Sequence, residues 1–307
     1  MPGLRTPIPP DPTEHPLRAA LARGDALRAR TGPALHHILA AQDRSLLSEA
    51  VIAQVGGMLA DLADQLVAAR VSPVDPAGTR EAVAGRLLAV EPLQEHCQAL
   101  ALEWRLAVRL EAELALDPVL SPLIQVLVAD ADPGVGSLAM AALAAQARFA
   151  QAQRRMQLPL GELPAELFHA VLLAAREALR AGQDEAERAE ARLRAGYEEG
   201  AGRLALFARL VAVSPAIATP MPTIEQAGVA LWLSTLAARS GEDRQRTAFA
   251  VADPSLARLL LTLRAAGVAP AEAERQALRT QPDAALPRGL QDIGTREAAQ
   301  WLAEVQP

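Results

Sequence analysis

Three histidines, one aspartate pair and one cluster of arginines are the residues in this sequence whose types and spacing could do chemistry. His36 and His37 are adjacent, followed by Ile38, Leu39 and Ala40 in an apolar stretch. A histidine presented by a helical bundle can carry a phosphoryl group on a ring nitrogen, so His36, His37 and His169 are the phosphoacceptor candidates. His169 also stands three residues after Glu166, the spacing by which helical carboxylate di-metal proteins place two ligands on one face. Those sites use a second such pair, and no other histidine here follows a glutamate by three. Asp61 and Asp64 have the spacing of an Mg²⁺-holding helix, without a second aspartate-rich helix to complete it. The metal reading is therefore the weaker one, and a structural role is expected for His169.

The arginine cluster has the least ordinary local sequence. It runs Arg148-Phe149, Gln151, Gln153-Arg154-Arg155-Met156, Leu158-Pro159-Leu160 and Glu162-Leu163-Pro164. On a helix Arg148 and Gln151 fall on one side, with Arg155 a turn further on, a polar stripe able to grip carboxylates or backbone groups of another protein. The same arginines also suit an ordinary helix end, where they offset the dipole. Arg148, Gln151, Arg154 and Arg155 are the candidate partner contact. No glycine-rich phosphate loop, G-x-S-x-G elbow or H-E-x-x-H motif is present, so no catalytic, cofactor-binding or metal residue is assigned.

This segment, with the following helix through His169, resembles all-helical bacterial proteins of a domain family without assigned function, some of them distantly HEAT-like. The resemblance implies a helical scaffold in a bacterial cell and supplies no catalytic residue.

The elements that must position these residues follow from composition. Of 307 residues, 51% are hydrophobic but only 3% aromatic, so the apolar content is chiefly alanine, leucine and valine. Alanine and leucine are the least costly residues to place in a helix, whereas strands enrich β-branched and aromatic types. The class expected is all-α, a multi-helix array of antiparallel helix pairs, HEAT-like where Leu127 to Val135 forms a turn between helices. A proline-dense tail at residues 1–16 precedes two helical lobes, 17–160 and 161–307, joined where Pro159, Gly161 and Pro164 break the pattern.

Leu47, Val51, Val55, Met58, Leu62 and Leu66 mark one long helix from Ser45 to Arg70, with Gly56-Gly57 signalling a kink or a close neighbour. A second runs from Pro92 to Leu116, with Leu93, Cys97, Leu100 and Trp104 inward. Four Asp-Pro pairs, at Asp75, Asp117, Asp132 and Asp253, read as helix starts, aspartate capping and proline opening the first turn. Residues 184–199 read as an exposed helix with Asp184–Arg188 and Glu190–Arg194 pairs, and Ile224 to Ala238 as a buried one.

The net charge of −6 and a pI near 5.5 argue against nonspecific duplex binding, although all 30 basic residues are arginine. A lone cysteine, Cys97, excludes an internal disulfide, and arginines interrupt the apolar stretches at 204–221 and 256–268. The expectation is a cytoplasmic, noncatalytic scaffold or regulatory adaptor that binds another protein or a second copy of itself, with no membrane or nucleic-acid partner. Histidine phosphotransfer and a helical metalloenzyme are the alternatives.

Overall fold

Alanine and leucine fill much of the interior of a chain whose regular structure, among the described residues, is entirely helical. The computed structural model describes residues 15–41, 48–70, 76–178, 183–214, 217 and 220–304; among them there is no strand. Fourteen α-helices are found there: α1 (Pro16–Ala41), α2 (Glu49–Ala68), α3 (Pro76–Leu88), α4 (Glu91–Leu114), α5 (Pro122–Val128), α6 (Pro133–Arg154) and α7 (Ala165–Ala178), then α8 (Gln183–Ala195), α9 (Arg203–Val213), α10 (Ile224–Ser240), α11 (Arg244–Ala252), α12 (Ala257–Ala265), α13 (Pro270–Thr280) and α14 (Thr295–Glu304). The all-α class stands. The proline-dense start lies outside the described residues except at its end, where Pro16 opens α1.

The helical stripes bury as their spacing dictates. Val51, Val55, Met58, Leu62 and Leu66 of α2 are buried, as are Leu93, Cys97, Leu100 and Trp104 of α4; Leu47 lies outside the described residues. Helix α10 is buried continuously from Val229 to Ala237, which makes it the central strut. It is bent at Gly228, whose φ of 69° and ψ of 164° are open to glycine. A Cβ there would sit 3.0 Å from the Ser121 Cβ, so the bend also admits the start of α5.

Two of the four Asp-Pro pairs open helices and two do not. Pro76 begins α3, and the Asp132 carboxylate caps α6 by accepting from the Gly134 N–H at 2.7 Å. Asp117 instead accepts from the Val119 and Leu120 N–H groups in a turn, and α5 begins only at Pro122, capped by Ser121. Helix α5 is thus seven residues long. Asp253 likewise binds Ser255 in a turn, and α12 starts at Ala257. Aspartate serves an Asx turn as readily as a cap, and tertiary packing chooses between them.

The crossing from α6 to α7 is clamped to α2. Gln54 Nε2 donates to both the Gln153 carbonyl and Oε1 at 2.8 Å. Asp61 accepts from the Leu158 N–H at 3.0 Å, and Gln65 both donates to the Leu158 carbonyl and accepts from the Leu160 N–H at 2.9 Å. The glycine pair of α2 serves this approach and not a kink: α2 is unbroken, and a Cβ on Gly57 would lie 2.5 Å from the Met156 Cβ. On the other side Glu162 accepts from the Arg203 N–H at the start of α9, and Tyr197 donates to the Leu163 carbonyl.

The buried apolar residues from Leu17 to Leu302 form one contiguous cluster. The start of α1 meets α14 as well. The His15 ring lies edge-on to Trp301 at 5.2 Å, and Arg18 pairs with Glu304 while covering Trp301. Among the described residues α2 is the helix long and apolar enough by composition to cross a membrane, and 56% of that window is buried inside the fold.

Gly57→Ala is expected to lower stability by about 1–3 kcal/mol, because the added methyl must displace backbone at Met156. Gly85→Ala in α3, where nothing lies within 4 Å of the new Cβ, should raise it by up to about 1 kcal/mol. Urea unfolding of the two variants beside the parent reads both signs.

Candidate functional site

Two polar assemblies stand out: a buried ionic centre around Glu103 and the exposed arginine end of α6. Glu103 lies on the inward face of α4, its side chain 2% exposed. Arg203, at the start of α9 and equally withdrawn, grips it from Nη1 at 2.5 Å and from Nη2 at 3.2 Å. Arg244, in the first turn of α11, reaches the second carboxylate oxygen at 3.0 Å. The rest of each guanidinium is used too. Arg203 lies over the Phe149 ring at 3.6 Å and donates to Gln146 Oε1, whose amide donates to the Pro118 carbonyl. Arg244 donates to Ser234 Oγ and to the Ala230 carbonyl of α10.

Two arginines share one carboxylate in the interior, and burial together with their charge shifts the neighbouring titrations. Burial alone would raise the Glu103 carboxyl, but Arg203 and Arg244 more than offset this and hold it at about 2. His96 sits seven residues before Glu103 on the same face of α4. Burial, then Arg203 and Arg244, lower it to about 4 against the opposing pull of Glu103 and Asp243, so it is neutral at pH 7. Its Nε2 is buried with no hydrogen-bond partner among the described residues. Cys97 beside it is pushed up by burial to about 12 and is a core thiol.

The predicted contact residues stay together. Arg148, Gln151, Arg154 and Arg155 are all exposed on the last turns of α6 and just beyond. Among the described residues none of the three arginines makes an ion pair; Arg154 lies over the Trp104 ring at 5.7 Å. The helix end that carries them is held by Gln153, whose Nε2 donates to the Gln157 carbonyl at 3.0 Å, and by the α2 clamp. Met156 follows with a φ of 56°, closing the turn.

The other candidates are dispersed. His36 and His37 belong to α1, and their side chains lie outside what is described. His169 is exposed on α7, its Nδ1 3.0 Å from Arg194 Nη2, and Glu166 is exposed a turn away. Among the described residues no three His, Cys, Asp or Glu side chains gather as a metal site requires. Asp61 is spent on the clamp and Asp64 pairs with Arg80 at 2.6 Å. Glu190 does pair with Arg194, and also with Arg176 of α7; Asp184 lies outside the described side chains. A groove of about 500 Å³ opens between the end of α4, the start of α10 and α13. That is a small-ligand volume, but its Glu113, Glu225 and Glu272 already pair with Arg109, Arg279 and Arg275.

Compared with protein-family models, curated proteins and solved structures, the chain matches none. The assignment of function therefore rests on geometry alone.

The ionic centre was absent from the sequence reading although half its signal was visible. His96 and Glu103 share the face of the inward stripe Leu93, Cys97, Leu100 and Trp104, so two ionisable groups were bound to be buried. The partners of Glu103, a hundred or more residues away, left no local trace.

Arg203→Met is expected to destabilise the fold by about 3–5 kcal/mol, because it removes the bidentate partner of a buried carboxylate. Replacing Glu103 and Arg203 together, by Gln and Met, should cost less than the sum of the single changes in a double-mutant cycle of urea unfolding. A second expectation concerns pH. His96 binds its proton more readily unfolded, near 6.5, than folded, near 4, so stability is complete above 6.5 and falls as pH drops from 6.5 to 4, by on the order of 3 kcal/mol. The Glu103 contribution is lost lower, between about 4.5 and 2. Urea midpoints from pH 7 to 4 should show the first loss, and His96→Leu should flatten it.

Proposed function

We propose that this protein is a noncatalytic helical scaffold or regulatory adaptor, and that it holds another protein through the exposed end of α6. The observation that carries the reading is the state of Arg148, Arg154 and Arg155. Three guanidiniums, with no ion pair among the described residues, are displayed with Gln151 on one helix end that α2 fixes in place. Arginine forks pair with carboxylates and backbone carbonyls in defined geometry, and a rigid display lowers the entropy lost on binding. Arg203, Arg244 and Arg258, by contrast, are spent on internal ion pairs. The reading places the protein in the cytoplasm, in keeping with a single, buried cysteine.

The test compares affinity capture from the source cells using the parent and an Arg148→Ala/Arg154→Ala/Arg155→Ala variant, read by quantitative mass spectrometry. The expected result is a dominant partner that the variant loses by tenfold or more while its thermal unfolding is unchanged, followed by direct binding of the purified pair. Equal recovery by both baits overturns the assignment of this face.

A further inference from the structure

The outer face of α6 differs from that of a helix meant only for water. From Gly134 to Ala147 it carries no charged residue, and its exposed positions include Ser137, Met140, Ala141, Ala144 and Ala147. Met140 is 51% exposed, and Val126 on the adjoining α5 is 61% exposed. The contrast within the molecule is α8, where Glu187, Arg188 and Arg192 face solvent. Ser137, Met140, Ala144, Ala147 and Gln151 step by three, four, three and four, the spacing of a seam between two paired helices, with side chains small enough for close approach.

The charges lie at the two ends of this seam and have opposite sign. The carboxylates of Asp130 and Asp132 precede it, accepting backbone N–H groups and making no ion pair among the described residues. Arg154 and Arg155 follow it, also without ion pairs. A face with acid at one end and base at the other is complementary to itself when a second copy lies antiparallel, as a two-fold interface demands. With the axis beside Leu143, Arg154 stands opposite the second copy's Asp132, each eleven residues from the centre. Met140 then enters between the second copy's Ala144 and Ala147, and the helix dipoles run in opposite senses.

We infer that the occupant of this face is a second copy of the chain, the two α6 helices pairing antiparallel about Leu143. The inference rests on the reading of the α6 end as a protein contact and names the partner. It also accounts for both unpaired charge clusters at once, which an acidic partner meeting the arginines alone would not.

The test is the mass of the purified full chain in solution, by light scattering across the micromolar range. Two variants are made: Arg154→Glu/Arg155→Glu, and Asp130→Arg/Asp132→Asn, the asparagine retaining a helix-capping side chain. A third, Met140→Glu, puts a charge in the seam without touching cap or clamp, and circular dichroism confirms that each variant folds. The expected result is a parent of about twice 32.4 kDa, all three variants at 32.4 kDa, and a dimer restored when the two charge variants are mixed. A parent that stays monomeric yet captures a partner lost in the triple-alanine variant overturns the second copy and leaves the scaffold reading standing. A parent dimer that survives all three changes overturns this face as its interface.

Discussion

The Glu103 carboxylate is the point on which the packing of this molecule turns. It belongs to α4, in the first half of the chain, and the two guanidiniums that neutralise it come from α9 and α11 in the second. A charge withdrawn from water is costly unless its partners are in place, so α4, α9 and α11 can close only together. Arg203 extends the constraint by stacking on Phe149 of α6 and by giving its backbone N–H to Glu162. Hydrophobic contacts among alanines and leucines are permissive about register. A buried ion triad is not, because each arrangement that leaves one of its charges unpaired is strongly destabilised.

A second set of polar contacts does the same for the crossing between α6 and α7. Gln54, Asp61 and Gln65 lie along one side of α2 and satisfy backbone groups from Gln153 to Leu160. Gly57 allows that backbone to come close enough. The arginines at the end of α6 are thereby displayed from a fixed base and not from a loose loop. Arg258 ties the N-terminal helix in by the same means, bridging Asp25 of α1 and Glu242 ahead of α11.

The interior charges and the exposed ones divide the arginines into two kinds. Arg203, Arg244 and Arg258 are consumed in holding helices together, and burial with the charge of Arg203 and Arg244 shifts the neighbouring His96 and Glu103. Arg148, Arg154 and Arg155 make no ion pair among the described residues, and Arg154 meets α4 at the Trp104 ring. The titrations of Glu103 and His96 are perturbed because both are buried beside Arg203 and Arg244.

What the sequence determined by itself was the class of structure and the identity of its helical faces. Apolar residues at spacings of three and four fix α2 and α4 and their buried sides, and an apolar run on every side marks α10 as buried, because helix propensity and amphipathic period are local properties. The exposed place of Arg148, Gln151, Arg154 and Arg155 was legible for the same reason. Tertiary structure alone decided that Asp117 and Asp253 make turns, that Gly57 admits Met156, that Asp61 clamps the Leu158 backbone, and that Glu103 meets Arg203 and Arg244. Each of these joins residues whose separation along the chain carries no periodic signal, or chooses between two local geometries open to the same residues, and only packing settles which is adopted.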